Sequence, residues 1–225
     1  AKFIGTTYAG SCVNGTEAIT VALRAAGISQ GDEIITSPYT FIGTVTPILA
    51  LGAIPLGTVV DEQTSIRMAD IFLEGGGNLI DTSNLYGGGL KGSNTGNAGR
   101  SELTVGKMIK GRRDKFVVAS KGYWLMEDEV TPNSVGLSRN YLMKNIEGSL
   151  KRLGTDYIDL YQCHVWDFYT PIEETMRVLD EFVRAGKIRY VGVSNWDGWQ
   201  VVKANMYAKQ MGLTRIVSNQ IWYTL

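Results

Sequence analysis

The segment "YIDLYQCH" (157–164) decides the fold, because it is a short apolar run that lies between two longer segments with helical periodicity. Those flanking segments cover residues 138–152 and 172–185. The glycine in "RLGTD" is typical of the end of the first helix, and "TPIEE" is typical of the start of the second. A strand between two helices indicates a parallel sheet covered by helices.

The same alternation continues from Asp61 to the end of the sequence. Strands are predicted at 78–82, 116–121, 157–164, 190–195 and 216–221, and helices at 61–75, 101–109, 138–152, 172–185 and 198–211. Further strands are predicted in the first part of the chain at "YAGSCV" (8–13), "DEIIT" (32–36) and "AIPLGT" (53–58), with helices at 15–27 and 41–52. Eight strands is the number in a closed barrel, so we predict an α/β fold of the (β/α)8 TIM-barrel type.

Composition excludes several classes of partner. The 225 residues include 22 basic and 22 acidic side chains, a balance that argues against nucleic acid and anionic membranes as partners. No apolar stretch has the length of a membrane span or the form of a signal core. The two cysteines, Cys12 and Cys163, do not make a disulfide framework, and we therefore expect a reducing, cytoplasmic location.

Period-two alternation predicts that three successive strands end one shared face with a polar group. Leu79 and Asp81 share a face in the first of them, and Ala119 and Lys121 share one in the second. In "YIDLYQCH" that face ends at His164. Tyr86, in "IDTSNLYGGG" (80–89), follows directly after the first strand. If these faces line one barrel interior, the four side chains meet at its mouth.

Such a group has a clear chemical use. A free tyrosine has a pKa of roughly 10, which is too high for efficient proton transfer at neutral pH. An ammonium beside a phenol favours the phenolate, and a carboxylate holds the ammonium in place. An imidazole can hydrogen-bond a substrate carbonyl. Taken singly, each residue is more often a helix cap, a packing group or a solvent-exposed side chain. His164 is the only histidine, so we expect no metal site built from a histidine cluster.

From about Leu56 to Leu225 the chain resembles the aldo-keto reductases. The resemblance is carried by "IDTSNLYG", "VVASK", "GTDYIDLYQCHVWD", "RAGKIRYVGVSNW" and "SNQIWYTL". It implies a (β/α)8 barrel that reduces aldehydes and ketones with a nicotinamide cofactor, usually NADPH. The small-molecule partner would be a carbonyl compound.

The resemblance also implies roles for individual residues. Asp81, Tyr86, Lys121 and His164 match the family's catalytic tetrad, with Tyr86 as the proton donor. The residues that match those binding the nicotinamide carboxamide in the family are Ser194, Asn195 and Gln220. Trp124 and Trp166 are candidates to wall the substrate pocket or to serve as packing, and the sequence leaves both open.

The chain departs from the family pattern at both ends. The family continues beyond the position of Gln220 with two more strands and with loops that bind the cofactor phosphates. One of those strands carries an aromatic residue that stacks on the nicotinamide, and Tyr223 does not match it. The family's first strand is retained only as "PLGT" (55–58). We therefore predict a barrel that is incomplete, or that is rebuilt with the N-terminal β-α-β-α segment.

Residues 1–56 resemble a different family, the DegT-type sugar aminotransferases, which use pyridoxal phosphate. Gly15 and Thr16 match its phosphate-binding pair, and Phe41 lies near the position of an aromatic beside the pyridine ring. The Schiff-base lysine has no counterpart, so pyridoxal phosphate chemistry is not expected. The chain thus looks chimeric, with an aminotransferase-like segment at 1–56 and a reductase barrel at 57–225.

Three functions stay open at this point. The first is an NADPH-dependent carbonyl reductase. The second is a chimeric scaffold that keeps the tetrad without cofactor binding or activity. The third is a module that binds a phosphate-bearing ligand through Gly15 and Thr16. Exposed strand edges in an incomplete barrel also favour association into oligomers.

Overall fold

The computed structural model describes residues 50–87, 98–126, 131 and 133–221. These residues form one sheet of six parallel strands in the order of the sequence. The strands are β1 (Ala50–Gly52), β2 (Leu79–Asp81), β3 (Val117–Gly122), β4 (Ile158–Cys163), β5 (Ile188–Ser194) and β6 (Ile216–Gln220). The helices between them are α1 (Glu62–Glu74), α2 (Arg100–Ile109), α3 (Arg139–Leu153), α4 (Ile172–Arg184) and α5 (Gly198–Met211), with a 3₁₀ turn at Arg113–Lys115.

The sheet is strongly curled. Asp81 in β2 and Gln220 in β6 lie four strand positions apart, a separation of roughly 19 Å in a flat sheet with strands about 4.8 Å apart. Their side chains are nevertheless hydrogen-bonded at 3.2 Å. The strands therefore form a half-barrel whose concave face carries these side chains. This confirms the prediction of an incomplete (β/α)8 barrel.

The hydrophobic core lies between the convex face of the sheet and the helices. Tyr161 of β4 points outward and meets Phe182 of α4 edge to face, with ring centroids 6.4 Å apart. Further side chains without exposed surface come from the strands and from the helices that cover them, namely Ile80, Val118, Ile146, Leu179, Val191 and Val193. Most of the outward-facing strand residues in this core are apolar, although Ser120 of β3 also faces outward and donates to the Glu102 carboxylate of α2.

The helix boundaries follow the signals in the sequence. The Asp61 carboxylate accepts a hydrogen bond from the Thr64 N–H at 2.9 Å and so caps the start of α1. Gly154 and Gly212 end α3 and α5 in the left-handed conformation, with φ of 62° and 64°. The five helices predicted after residue 60 are all observed, within one residue at each end.

The strand predicted at 53–58 is wrong. The first described strand is Ala50–Gly52, which the sequence pattern assigned to the end of a helix at 41–52. Residues 53–60 form a turn instead, in which the Pro55 carbonyl accepts from the Val60 N–H at 3.0 Å and Gly57 has a φ of 79°. The strands predicted at 8–13 and 32–36 lie outside the described residues, so the division of the chain near residue 56 stays a prediction.

None of the helices in the described residues has both the length and the apolar character needed to cross a membrane. No group of three or more histidine, cysteine, aspartate or glutamate side chains in the same ranges is placed to bind a metal ion.

Candidate active site

Lys121 forms the centre of a polar cluster on the concave face of the sheet. Its side chain is 1% exposed, and its Nζ lies 2.7 Å from each carboxylate oxygen of Asp81. The same Nζ lies 3.0 Å from the Thr82 carbonyl oxygen and 3.2 Å from the Tyr86 hydroxyl. All three ammonium hydrogens therefore have acceptors.

Two opposing effects act on this lysine. Burial favours the neutral amine, but the Asp81 carboxylate and the Tyr86 oxygen favour the ammonium and together raise the pKa of Lys121 above its ordinary value. Lys121 is therefore a fixed positive charge at neutral pH, held against the phenol oxygen.

Tyr86 is held by the loop that follows β2. Its backbone N–H donates to the Ser83 carbonyl at 3.1 Å, and its carbonyl accepts from the N–H of Ser101, at the start of α2, at 3.2 Å. Lys121 Nζ also lies 4.7 Å from the centre of the Tyr86 ring. The backbone of Tyr86 is thus fixed by its own loop and by the start of α2, and the Lys121 ammonium contacts its hydroxyl and ring.

His164 follows β4 directly and borders the same cluster. Its backbone N–H donates to the Gly122 carbonyl at 3.1 Å, and its ring packs edge to face with Tyr86 at 5.8 Å. Burial and the nearby Lys121 charge lower the pKa of His164 to about 3. The imidazole is therefore neutral at physiological pH.

Ser194, Asn195 and Gln220 lie together at the ends of β5 and β6. The Asn195 N–H donates to the Gln220 carbonyl at 2.9 Å, and the Asn195 amide donates to Ser194 Oγ at 3.1 Å. Asn195 has a φ of 55°, a left-handed conformation that asparagine tolerates better than most residues. The Gln220 amide connects this group to Asp81, since its Nε2 donates to Asp81 Oδ2.

These three side chains offer a hydroxyl and two amides beside the lysine cluster. A nicotinamide carboxamide carries both donors and a carbonyl acceptor, so this set of groups fits it by hydrogen-bonding chemistry. The residues predicted from the sequence to form the tetrad and to bind the nicotinamide carboxamide are thus neighbours at one edge of the sheet. Their chemical roles stay predictions.

Sequence reasoning missed three polar residues of this region. Gln162 of β4 lies 3.4 Å from Asp81 Oδ1 and 3.4 Å from Gln220 Oε1. Ser83 contacts the His164 ring, and Asn84 donates to the Tyr141 hydroxyl at 3.1 Å. Gln162 could have been found, because period-two alternation puts it on the face that ends at His164. Ser83 and Asn84 lie after the strand, where no periodicity applies.

The two candidate pocket tryptophans have different surroundings. Trp124 is 37% exposed, and its ring lies edge to face with His164 at 6.2 Å between centroids. Trp166 packs instead against Trp196 and Trp199, with centroids 4.7 and 5.6 Å away. Trp124 therefore has open surface beside the polar cluster, whereas Trp166 belongs to a cluster of aromatic rings.

Comparison with known protein families gives two matches. Residues 48–225 match the family described as the aldo/keto reductase family. Residues 1–71 match the DegT/DnrJ/EryC1/StrS aminotransferase family. The two matched ranges overlap at residues 48–71, which include β1 and most of α1.

Curated relatives are oxidoreductases by name. The chain is 38% identical over 195 residues to the uncharacterized oxidoreductase YrpG of Bacillus subtilis, an alignment that covers 83% of this chain and 58% of that protein. It is 41% identical over 160 residues to a norsolorinic acid reductase of Aspergillus flavus, covering 68% and 39% of the two chains. It is 35% identical over 190 residues to an aryl-alcohol dehydrogenase [NADP(+)] of Phanerodontia chrysosporium, covering 77% and 46%. The chain thus spans about half the length of these relatives.

Proposed function

The chain belongs to the aldo/keto reductase family, and on that premise we propose that it reduces an aldehyde or ketone to an alcohol with NADPH. The observation that carries the proposal is the contact of the buried Lys121 ammonium with both the Asp81 carboxylate and the Tyr86 hydroxyl. This arrangement suits a tyrosine that must release a proton at neutral pH. Relatives named as reductases and as an NADP(+) dehydrogenase support the reaction class and the cofactor.

NADPH, when bound, would supply the hydride that adds to the carbonyl carbon. Ser194, Asn195 and Gln220 would hold its carboxamide, because they offer complementary donors and acceptors beside the lysine cluster. In that position they would orient the nicotinamide toward the mouth of the barrel, where Tyr86 and His164 lie.

Tyr86 would give its hydroxyl proton to the carbonyl oxygen as negative charge develops there. The phenolate left behind lies next to Lys121 Nζ, at 3.2 Å in this structure, and the ammonium stabilises it. Asp81 keeps the ammonium in place. A proton from water then restores the phenol, so the balance of the reaction is one hydride and one proton added to the carbonyl.

His164 would orient the substrate. A neutral imidazole can donate one hydrogen bond to a carbonyl oxygen without carrying a charge that competes with Lys121. Trp124 offers open aromatic surface next to this ring. Together with the name of the aryl-alcohol dehydrogenase relative, this supports aromatic aldehydes as the first substrates to test.

The test is the Tyr86→Phe variant, with NADPH oxidation followed spectroscopically against a panel of benzaldehydes. Loss of general acid catalysis should lower kcat by about 10²-fold or more. The control is Tyr207→Phe, since the Tyr207 hydroxyl accepts from Arg177 on the outer helices and should not affect turnover. Unchanged activity in Tyr86→Phe would contradict the assignment of the proton donor.

A titration with NADPH separates this proposal from the inactive-scaffold alternative. The chain has five tryptophans, and saturable quenching of their fluorescence in the micromolar range would report a nicotinamide site. Absence of binding up to millimolar NADPH would instead favour a scaffold that keeps the four side chains without the cofactor.

A further inference from the structure

Ser83 is a buried serine that touches the ring of His164, and it takes no part in the proposed reaction steps. Its side chain has no exposed surface, and its Oγ lies 3.2 Å from His164 Nδ1. The Leu85 N–H donates to the same oxygen at 3.3 Å. Since Nδ1 faces Ser83, the other ring nitrogen, Nε2, is the one left to face the substrate side.

A neutral imidazole carries one proton, on either Nδ1 or Nε2, and the nitrogen without it can only accept. A substrate carbonyl oxygen has no proton to give. His164 can therefore bind a carbonyl only when Nε2 carries the proton, and Nδ1 must then accept from a donor. Among the residues that the structure describes, Ser83 is the side chain hydrogen-bonded to Nδ1.

Asn84 competes for the same hydroxyl proton. Its Oδ1 lies 3.2 Å from Ser83 Oγ, while its Nδ2 donates to the Tyr141 hydroxyl and, at 3.4 Å, to the Trp124 carbonyl. The amide cannot turn without losing these two bonds, so its oxygen stays directed at Ser83. If Ser83 donated to Asn84, Nδ1 would have to carry the ring proton, and Nε2 would present a lone pair to the substrate.

The competition favours the ring, because an imidazole nitrogen is far more basic than an amide oxygen. We propose that Ser83 is a positioning residue that donates its hydroxyl proton to His164 Nδ1, and thereby keeps the ring proton on Nε2 for the substrate carbonyl. This inference rests on the proposed function for its purpose. The tautomer itself can be measured without cofactor or substrate.

Nuclear magnetic resonance gives a direct test, because His164 is the only histidine in the chain. Long-range proton–nitrogen spectra of the ¹⁵N-labelled protein at neutral pH will contain one set of imidazole signals. We expect a pyrrole-type shift for Nε2 and a pyridine-type shift for Nδ1. The opposite assignment in the unmodified chain would overturn the proposal, whatever the variants do.

Variants then test whether Ser83 causes the preference. In Ser83→Ala the two nitrogen shifts should move toward the average of both tautomers, and kcat should fall about tenfold, the effect of losing one ordinary hydrogen bond. Ser83→Cys keeps similar volume with a weak donor and should behave in the same way. Ser83→Thr keeps the hydroxyl and should retain the shifts of the unmodified ring.

The matched control is Ser65→Ala, which removes another fully buried serine hydroxyl, one in α1 that donates to the carbonyl of the capping residue Asp61. It should leave the imidazole shifts unchanged. If Ser83→Ala and Ser83→Cys also leave them unchanged, Ser83 does not set the tautomer. Failure of the proposed function is a separate result. A Tyr86→Phe variant that keeps its reductase activity would contradict that function, but it would not alter the imidazole shifts measured in the unmodified chain.

Discussion

Lys121 and Asp81 make an ion pair that the fold almost completely removes from water, and such a pair is sensitive to the loss of one partner. The Lys121 side chain is 1% exposed and the Asp81 side chain 13%. We predict that Asp81→Leu lowers the free energy of unfolding by about 3–5 kcal/mol, because it leaves an uncompensated ammonium. Urea denaturation measures this change.

The double variant Lys121→Met/Asp81→Leu serves as the control for that experiment. It removes both charges, so it should recover much of the lost stability. An exposed pair gives a second comparison. Arg139 and Glu181 are each about half exposed, and Glu181→Ala should cost at most about 1 kcal/mol. If Asp81→Leu and the double variant lower the free energy of unfolding equally, the uncompensated Lys121 ammonium is not the cause of the loss.

The lowered pKa of His164 determines how the free energy of unfolding should depend on pH. Its pKa is lowered to about 3 in the folded chain, against about 6.5 in an unfolded one, so the unfolded state binds the proton more readily. The neutral ring therefore makes its full contribution to the free energy of unfolding above pH 6.5, and that contribution is lost as the pH falls from 6.5 toward 3. The loss cannot exceed about 1.4 kcal/mol for each pH unit, because one proton is involved.

Denaturation curves between pH 5 and 7 measure this effect, since most carboxylates titrate below that window. The variant His164→Gln should lose the pH dependence. Ring resonances that remain those of neutral imidazole at pH 5 would support the low pKa directly. A ring that titrates near 6.5 would show that His164 is not shielded by burial and by Lys121.

At the scale of the helix, Gly106 and Gly148 differ in what an added Cβ would contact. A Cβ at Gly106 in α2 would lie 2.8 Å from the carbonyl oxygens of Arg152 and Leu153, which are backbone atoms near the end of α3. We predict that Gly106→Ala lowers the free energy of unfolding by about 1–3 kcal/mol, because the two helices must move apart. Thermal or urea unfolding measures it.

Gly148 in α3 is the matched control. A Cβ there would meet only the guanidinium of Arg152, at 3.0 Å, a side-chain group that also pairs with the buried Glu102 carboxylate at 2.7 Å. The guanidinium can yield more easily than backbone, and alanine has the better helix propensity, so Gly148→Ala should lower the free energy of unfolding by less than Gly106→Ala does. Equal losses in the two variants would mean that the close backbone contact between α2 and α3 does not cause the effect of Gly106→Ala.

Local signals in the sequence explain why the helices were predicted and strand β1 was not. Helices α1, α3 and α5 begin at a capping Asp or Ser and end at a glycine, and α2 and α4 bury one apolar face, so each helix carries a local signal. Strand β1 has three residues, Ala50–Gly52, which continue the apolar pattern of the preceding segment. A short buried strand of this kind cannot be told from a helix end by periodicity, and only its pairing with β2 defines it.

The candidate site was predictable to a similar degree. Asp81 and Lys121 occupy strand positions whose direction follows from alternation, so their approach could be anticipated. The contact of Ser83 with His164 joins residues 81 positions apart through a loop that has no repeating pattern. The hydrogen bond between Asp81 and Gln220 depends on the curl of the whole sheet, which no local signal gives.

For the molecule as a whole, the segment shared by the two family matches is part of the barrel. Residues 48–71 include β1, which pairs with β2, and most of α1. Leu56 and Ala69 from this segment have no exposed surface and belong to the core. The part of the chain that resembles both families therefore packs as one wall of the reductase fold, rather than as a linker.

The curled sheet also presents edges. Among the strands that the structure describes, β1 pairs only with β2, and β6 pairs only with β5. Val217 of β6 is 61% exposed. An edge strand with exposed apolar side chains is a template for pairing with another chain, so we predict that the purified protein self-associates as its concentration rises. Sedimentation velocity over a wide range of concentrations measures this.

A charge on the edge strand tests whether β6 is the site of association. Val217→Lys should shift the protein toward the monomer, because a lysine on an edge strand opposes pairing. The matched control is Val202→Lys, which puts the same charge at a similarly exposed position, 58%, on α5. It should leave association unchanged. If both variants dissociate the oligomer equally, net charge is responsible rather than the edge, and a monomer at every concentration would show that the β6 edge is not available for pairing.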